Sequence, residues 1–172
     1  LAHRAAGTVS MGVAAYPQKH PAAASLLQDI EILLAKQRAG ADFAITQVFF
    51  EDERYSALVD SARLAGVDIP IIPGIMPVTS LKRLQNLCQM AGMSVPADLA
   101  YALETATSNA ELHRIGVEYA VNQCRTGMDA GAPCLHFFTF NEHAAVLDVL
   151  DQLDLPRYSN RFSQSLSELE FA

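Results

Sequence analysis

Residues 12–40 read GVAAYPQKHPAAASLLQDIEILLAKQRAG, and their order of apolar, turn and amphipathic stretches decides the fold class. The short, small and apolar run Val9 to Ala15 stops at Tyr16-Pro17, as a buried strand closed by proline does. After a short loop Pro21 opens a helix. Its apolar residues Ala23, Leu26, Leu27, Ile30, Leu33 and Leu34 follow the i, i+3, i+4, i+7 spacing, and Gly40 stops it after the basic last turn of Lys36 and Arg38. One strand followed by one helix is a βα unit.

The unit recurs. Phe43 to Phe50 is a near-continuous apolar run, which predicts a strand buried on both faces, and a helix follows from Asp52 to Ala65. Ile69 to Ile75, broken at Pro73-Gly74, precedes a helix from Ser80 to Ala91. The rhythm then changes: Pro96 starts a short helix, and Ser108 with Glu111 forms a capping-box pattern for a long one. Cys134 to Phe140 returns as a strand, and Asn141 is placed to cap a last helix through Leu153. The segment 156–172, with serines at 159, 163, 165 and 167, reads as a polar C-terminal tail after a domain covering 1–155.

Strand and helix thus alternate four times, and parallel neighbours need crossover helices, so the class is α/β with a parallel sheet. Two architectures compete, a doubly wound sheet and a (β/α)8 barrel. Neither G-x-G-x-x-G nor G-x-x-x-x-G-K occurs, which removes the nucleotide fingerprints of the former. Polar or special residues instead gather beyond strand ends, at Tyr16, His20, Gln47, Pro73-Gly74 and Asn141, where a barrel keeps its catalytic rim.

Composition narrows the function classes. The 172 residues are 51% hydrophobic and 18% charged, enough apolar material for a core. Twelve basic against 19 acidic residues give a net charge of −7, without the basic stripe that duplex phosphates require, so no nucleic-acid partner is expected. No apolar run reaches bilayer length and Leu1 to Gly7 has no signal-peptide core, so no membrane partner is expected and the cytoplasm is the default location. Cys88, Cys124 and Cys134 form no C-x-x-C pair and read as small buried hydrophobes in a reducing compartment, with neither disulfide nor metal. Residue 1 is Leu, which leads to the expectation of an upstream segment.

Several residues carry candidate chemistry. Tyr16 and His20 stand at a strand mouth, next to a helix N-terminus able to meet an anion. Asp29 and Lys36, two turns apart, share a helix face and can both reach one extended ligand. Each also has an ordinary reading: Lys36 suits a helix C-terminus, Asp29 can be solvated, and tyrosine is common at strand ends. Gln47 is a lone amide in an apolar run, so it bonds either the backbone or a ligand. His136, between Leu135 and Phe137, reads as a core histidine. His3, His113 and His143 lack metal-ligand spacing, and neither H-E-x-x-H nor G-x-S-x-G is present. A Schiff-base aldolase or lyase would need a strand-end lysine, whereas Lys19, Lys36 and Lys82 fall in loops or helices.

Four blocks in the same order, GVAAYPQKHPAA, AGADFAITQVFF, IPIIPGIMPV and LHFFTFN, resemble the methylenetetrahydrofolate reductase family. The resemblance implies a (β/α)8 flavoprotein of one-carbon metabolism and methionine biosynthesis. Such a protein moves hydride from NAD(P)H through FAD to 5,10-methylenetetrahydrofolate and yields 5-methyltetrahydrofolate. It implies that Tyr16, His20 and Ala23 form the Y-P-x-x-H-P-x-A flavin loop, that Asp29 and Lys36 lie on the flavin-contacting helix, and that Gln47 meets the pterin. Tyr16, His20 and Gln47 are then expected to open onto one hollow.

Two departures stand out. Phe138 replaces a tyrosine, and Glu142 replaces the arginine expected to hold the anionic folate tail. Arg83, where a glutamine is common, offers replacement positive charge. By the same resemblance the chain supplies about the last four βα units, and the catalytic general acid is expected upstream of Leu1. Four units leave unpaired strand edges and one bare sheet face, so the chain alone is expected to be unstable, to form homo-oligomers, or to associate with a missing N-terminal half. A non-catalytic half-barrel that binds flavin or a partner is the alternative from another class.

Overall fold

In the computed structural model, which describes residues 9–155, the chain is a mixed α/β protein built on short parallel strands. The elements are β1 (Gly12–Ala15), α1 (Leu26–Arg38), β2 (Phe43–Thr46), α2 (Asp52–Leu64), β3 (Ile71–Ile72), β4 (Gly74–Ile75), α3 (Leu81–Ala91), α4 (Ala97–Thr105), α5 (Asn109–Asp129), β5 (His136–Phe137) and α6 (Ala144–Leu153). Leu1 to Gly7, His3 and the Ser-rich segment 156–172 lie outside the described residues.

β1 pairs with β2 and β2 with β3, all parallel, in a register that sets Ala15 beside Thr46 and Ala44 beside Ile71. β4 pairs with β5 in a separate two-stranded ladder. The division falls at Pro73, which has no N–H for a ladder and so cuts the apolar run 71–75 in two. Gly74 then donates its N–H to the Thr46 hydroxyl at 2.9 Å, and the Pro73 carbonyl accepts from His136 N at 3.1 Å. A methyl group at Gly74 would overlap the Thr46 carbonyl oxygen and the Phe138 ring, so the close approach needs glycine. The described residues form no closed barrel.

The helices cover one face of this sheet. In β2, Ala44 and Thr46 are 0% and 1% exposed, while Phe43 and Ile45 on the other face are half-buried and Gln47 is exposed. β1 repeats the pattern, with Ala15 buried and Gly12 and Ala14 exposed. The expectation that Phe43 to Phe50 is one strand buried on both faces is therefore corrected: the strand is Phe43–Thr46, its period-two alternation leaves only the helix-facing residues covered, and Val48, Phe49 and Phe50 are buried in the loop beyond it. The main core joins these residues to Ile30, Leu33, Tyr55, Leu58, Val117 and Val121. A second cluster, with Phe50, Met76, Leu84, Cys88, Leu99 and Leu103, fills the space beneath α3 and α4.

Several boundaries also move. α1 begins at Leu26 rather than Pro21 because Ser25 takes the N-cap, its hydroxyl accepting from Gln28 N at 3.2 Å, and Gln28 Oε1 reaches back to Ala24 N at 2.6 Å. β5 is shorter than Cys134 to Phe140, and Asn141 does not cap α6. Phe140 and Asn141 adopt φ of 48° and 64°, a left-handed pair that turns the chain at the strand's end, and His143 occupies the cap position. Ser108 does cap α5, but Glu111 turns its carboxylate to the N–H and hydroxyl of Thr107 rather than to Ser108 N, and these bonds hold its pKa below the usual carboxylate value. All three thiols are free, with Cys88 and Cys124 buried; Cys134, expected to be buried, is exposed in the loop before β5. Among the described residues no helix is long and apolar enough to cross a membrane.

Candidate functional site

Strand register builds the site. Because β1 and β2 run parallel with Ala15 beside Thr46, the residues just beyond them, Tyr16 and Gln47, leave the sheet at the same edge, and Gln47 N still donates to the Ala15 carbonyl at 2.9 Å.

After Tyr16 the chain makes a loop held almost entirely by its own polar groups. Lys19 has φ of 106°, a left-handed conformation uncommon for a residue with a side chain, and its ammonium donates to the Ala23 carbonyl at 2.5 Å. His20 Nδ1 accepts from Ala22 N at 3.1 Å, so in that ring the proton belongs on Nε2. Asp29, 9% exposed on α1, accepts the His20 N–H through Oδ2 at 2.6 Å. The rings of Tyr16 and His20 meet edge to face at 4.6 Å. At the other end of α1, Lys36 donates to the Ala14 carbonyl at 2.8 Å.

These residues enclose a cavity of about 250 Å³ lined by Tyr16, His20, Ala23, Asp29, Leu33 and Lys36. Asp29 is therefore not a solvated charge: it and Lys36 each have a backbone partner, and each also lines the same concavity. The structure brings together all five residues named for this loop and helix.

Gln47 belongs to a neighbouring hollow of about 410 Å³ on the uncovered sheet face, with Ala14, Tyr16, Phe43, His136 and Phe138 among its walls. The single hollow expected for Tyr16, His20 and Gln47 is thus corrected to two that adjoin, with Ala14 and Tyr16 common to both and His20 in the first only. Gln47 itself is exposed, not a buried amide in an apolar run, because the chain leaves the strand one residue earlier. Its Oε1 accepts from Val48 N at 2.9 Å. His136 is also misplaced by the sequence reading: it is half-buried and stands edge to face with Phe138 at 4.8 Å in the wall of the second hollow, not in the core. Alternation along β5 puts His136 and Phe138 on one face; only the packing says which face is open.

At the rim, Arg83 at the start of α3 meets Glu142 in a two-pronged ion pair, Nη1 to Oε2 at 2.7 Å and Nη2 to Oε1 at 2.8 Å. The Glu142 hydrogen bonds push the Arg83 pKa up, and the guanidinium holds the Glu142 carboxyl below its ordinary range. Arg83 is therefore not spare positive charge, and Glu142 is not an unbalanced negative one. Beside them Lys82, Asn86, Met90 and Phe140 line a rim hollow of about 330 Å³.

The sequence profile described as methylenetetrahydrofolate reductase matches residues 1–154. A probable methylenetetrahydrofolate reductase (NADPH) of Caenorhabditis elegans is 35% identical over 148 residues, covering 85% of this chain and 22% of the relative. The 5,10-methylenetetrahydrofolate reductase of Escherichia coli K12 is 36% identical over 132 residues, covering 76% of this chain and 45% of the relative. The chain thus spans less than half the length of these relatives. Among solved structures, an uncharacterized Clostridium thermocellum protein that binds two copies of 5-methyl-5,6,7,8-tetrahydrofolic acid aligns with a TM-score of 0.57 at 16% identity, over 84% of this chain and 54% of that one, a likeness of fold. A family profile that matches residues 1–154, with relatives 35% and 36% identical over most of this chain, reflects common descent, and the chain belongs to the methylenetetrahydrofolate reductase family.

Proposed function

We propose that the protein carrying this chain reduces 5,10-methylenetetrahydrofolate to 5-methyltetrahydrofolate, with FAD as cofactor and NAD(P)H as hydride source, and that this chain forms about the last four βα units of its (β/α)8 barrel. The observation that carries the reading is the pair of adjoining hollows at the C-terminal ends of β1 and β2, joined through Ala14 and Tyr16.

The donor set suits a dinucleotide. Aromatic edges of Tyr16 and His20, small Ala23, a carboxylate at Asp29 and an ammonium at Lys36 surround one concavity, matching respectively flat rings, close approach, hydroxyls and phosphates. When bound, FAD supplies the two-electron carrier between nicotinamide and folate. Gln47 offers an uncharged donor and acceptor to a pterin edge, and among the described residues only its Oε1 is engaged. Phe43, Ile45 and Phe138 give that edge an apolar surround. Because Arg83 and Glu142 neutralise one another, Lys82 is, among the described residues lining that rim hollow, the cation left to attract an anionic tail.

The exposed sheet face then receives the first half of the barrel, which also brings the general acid. In the full natural polypeptide, purification with a yellow chromophore that NADH or NADPH bleaches supports the reading; a colourless protein that cannot be loaded with FAD overturns it. Gln47→Ala is expected to keep the flavin and lower folate-dependent reoxidation by about tenfold to a hundredfold, the scale of one lost substrate contact.

A further inference from the structure

The Gln47 amide is presented by a segment that has already left the sheet. Its own N–H bonds to the Ala15 carbonyl at 2.9 Å, and beyond it the chain crosses from β2 to α2 without ladder pairing. The side chain is nevertheless tied to that segment, since Gln47 Oε1 accepts from Val48 N at 2.9 Å. Whatever fixes residues 48–50 fixes the amide.

Val48, Phe49 and Phe50 are 4%, 2% and 4% exposed, so their carbonyls lack water and need protein donors. Two of those donors come from α5. Gln123 Nε2 donates to the Phe49 carbonyl at 2.7 Å, and the Tyr119 hydroxyl donates to the Phe50 carbonyl, with the Tyr119 and Phe50 rings 6.4 Å apart. Residues four apart share a helix face, so consecutive carbonyls of the segment are held by consecutive turns of one helix. Gln123 is 2% exposed, and its Oε1 has no partner among the described residues. A methionine would fill that volume without a stranded acceptor, so the benefit of an amide at 123 lies in its donor.

We infer that Gln123 and Tyr119 are positioning residues: from α5 they lock the backbone of Phe49 and Phe50 and thereby hold the Gln47 amide at the mouth of the open hollow. The inference rests on the proposed role of Gln47 toward the pterin. Neither residue touches either hollow, and both act through Gln47.

The test uses Gln123→Met and Tyr119→Phe in the full natural polypeptide, the second removing one hydroxyl and so keeping the test open if the first does not fold. Without flavin, amide hydrogen exchange over residues 47–51 is expected to quicken by roughly fivefold or more, the equivalent of one lost hydrogen bond, while residues 12–15 exchange as before. Unchanged exchange over 47–51 overturns the inference. With flavin bound, reoxidation by methylenetetrahydrofolate is expected to slow by roughly fivefold in either variant, and adding Gln123→Met to Gln47→Ala is expected to slow it by less than about twofold further. Independent, multiplying effects overturn the link through Gln47. Faster exchange over 47–51 in the variants, together with an unsubstituted protein that passes no hydride to folate, overturns the proposed function and the catalytic meaning of the clamp, leaving a purely structural clamp, an outcome distinct from the first.

Discussion

Thr46 shows how a single hydroxyl replaces a missing piece of sheet. Pro73 interrupts the ladder beside β2, and the Thr46 side chain, 1% exposed, accepts the Gly74 N–H that the interruption would strand. Thr46→Val keeps shape and volume and removes only that acceptor, so it is expected to destabilise the chain by about 1–3 kcal/mol in urea unfolding, the cost of an unsatisfied buried N–H. A value indistinguishable from wild type would mean that the donor finds another partner. Asp29 plays a comparable part for the loop, accepting the His20 N–H from within α1. That pairing joins residues nine apart across a loop whose path no periodicity describes, which is why the sequence offers Asp29 only as a ligand contact or a solvated charge.

At the scale of elements, the helices were legible because their apolar spacing and stop signals are local. α2 and α3 run close to the expected limits, with Gly92 in a left-handed C-cap at φ 65° after α3. Where two local signals competed, the start of α1 was misread. Pro21 is a good first-turn residue, yet Ser25 with Gln28 satisfies more N–H groups and takes the cap. Ser25→Ala is expected to cost about 1 kcal/mol, measured as a lower urea midpoint with unchanged slope. On the proposed role of Asp29 toward FAD, the same variant in the full natural polypeptide is expected to weaken flavin retention, since fraying of the first turn of α1 frees Asp29. Strands fared worse: β3, β4 and β5 span two residues each, too few for alternation to establish a face.

At the scale of the whole molecule, the described residues cover one face of the sheet and leave the other uncovered, and this imbalance governs its behaviour. Residues 1–172 in isolation are expected to self-associate with rising concentration in sedimentation. Ile45→Lys, on the open side of β2, is expected to shift the population toward monomer with little change in melting temperature. A concentration-independent monomer for the unsubstituted chain would show that this face tolerates water. On the covered side, burial pushes the Tyr55 phenol up to about 12, and its hydroxyl donates to the Ile71 carbonyl at 2.8 Å. Burial likewise raises Cys124 to about 12. Both are acids whose protons the folded state retains and the unfolded state releases, so stability is expected to fall as pH climbs above 9, where unfolded Cys124 ionises, and further above 10, where unfolded Tyr55 does, levelling near 12. Tyr55→Phe is expected to lose the part of that decline that begins near pH 10; an unchanged alkaline profile would remove Tyr55 as a cause.

What the sequence determined by itself is whatever repeats or is contiguous: the alternation of strand and helix, the limits of α2 and α3, the loop motif Tyr16 to Ala23 followed by Asp29 and Lys36, and the family. What tertiary structure alone decided is which groups satisfy one another across long separations. Arg83 and Glu142, 59 residues apart, cancel as an ion pair; His136 faces the open hollow instead of the core; Tyr16 belongs to two cavities at once; and Gln123 reaches back 74 residues to the segment bearing Gln47. Local propensity depends on neighbours along the chain, whereas the choice of partner for a buried donor or a charge depends on distances that exist only after the elements have packed.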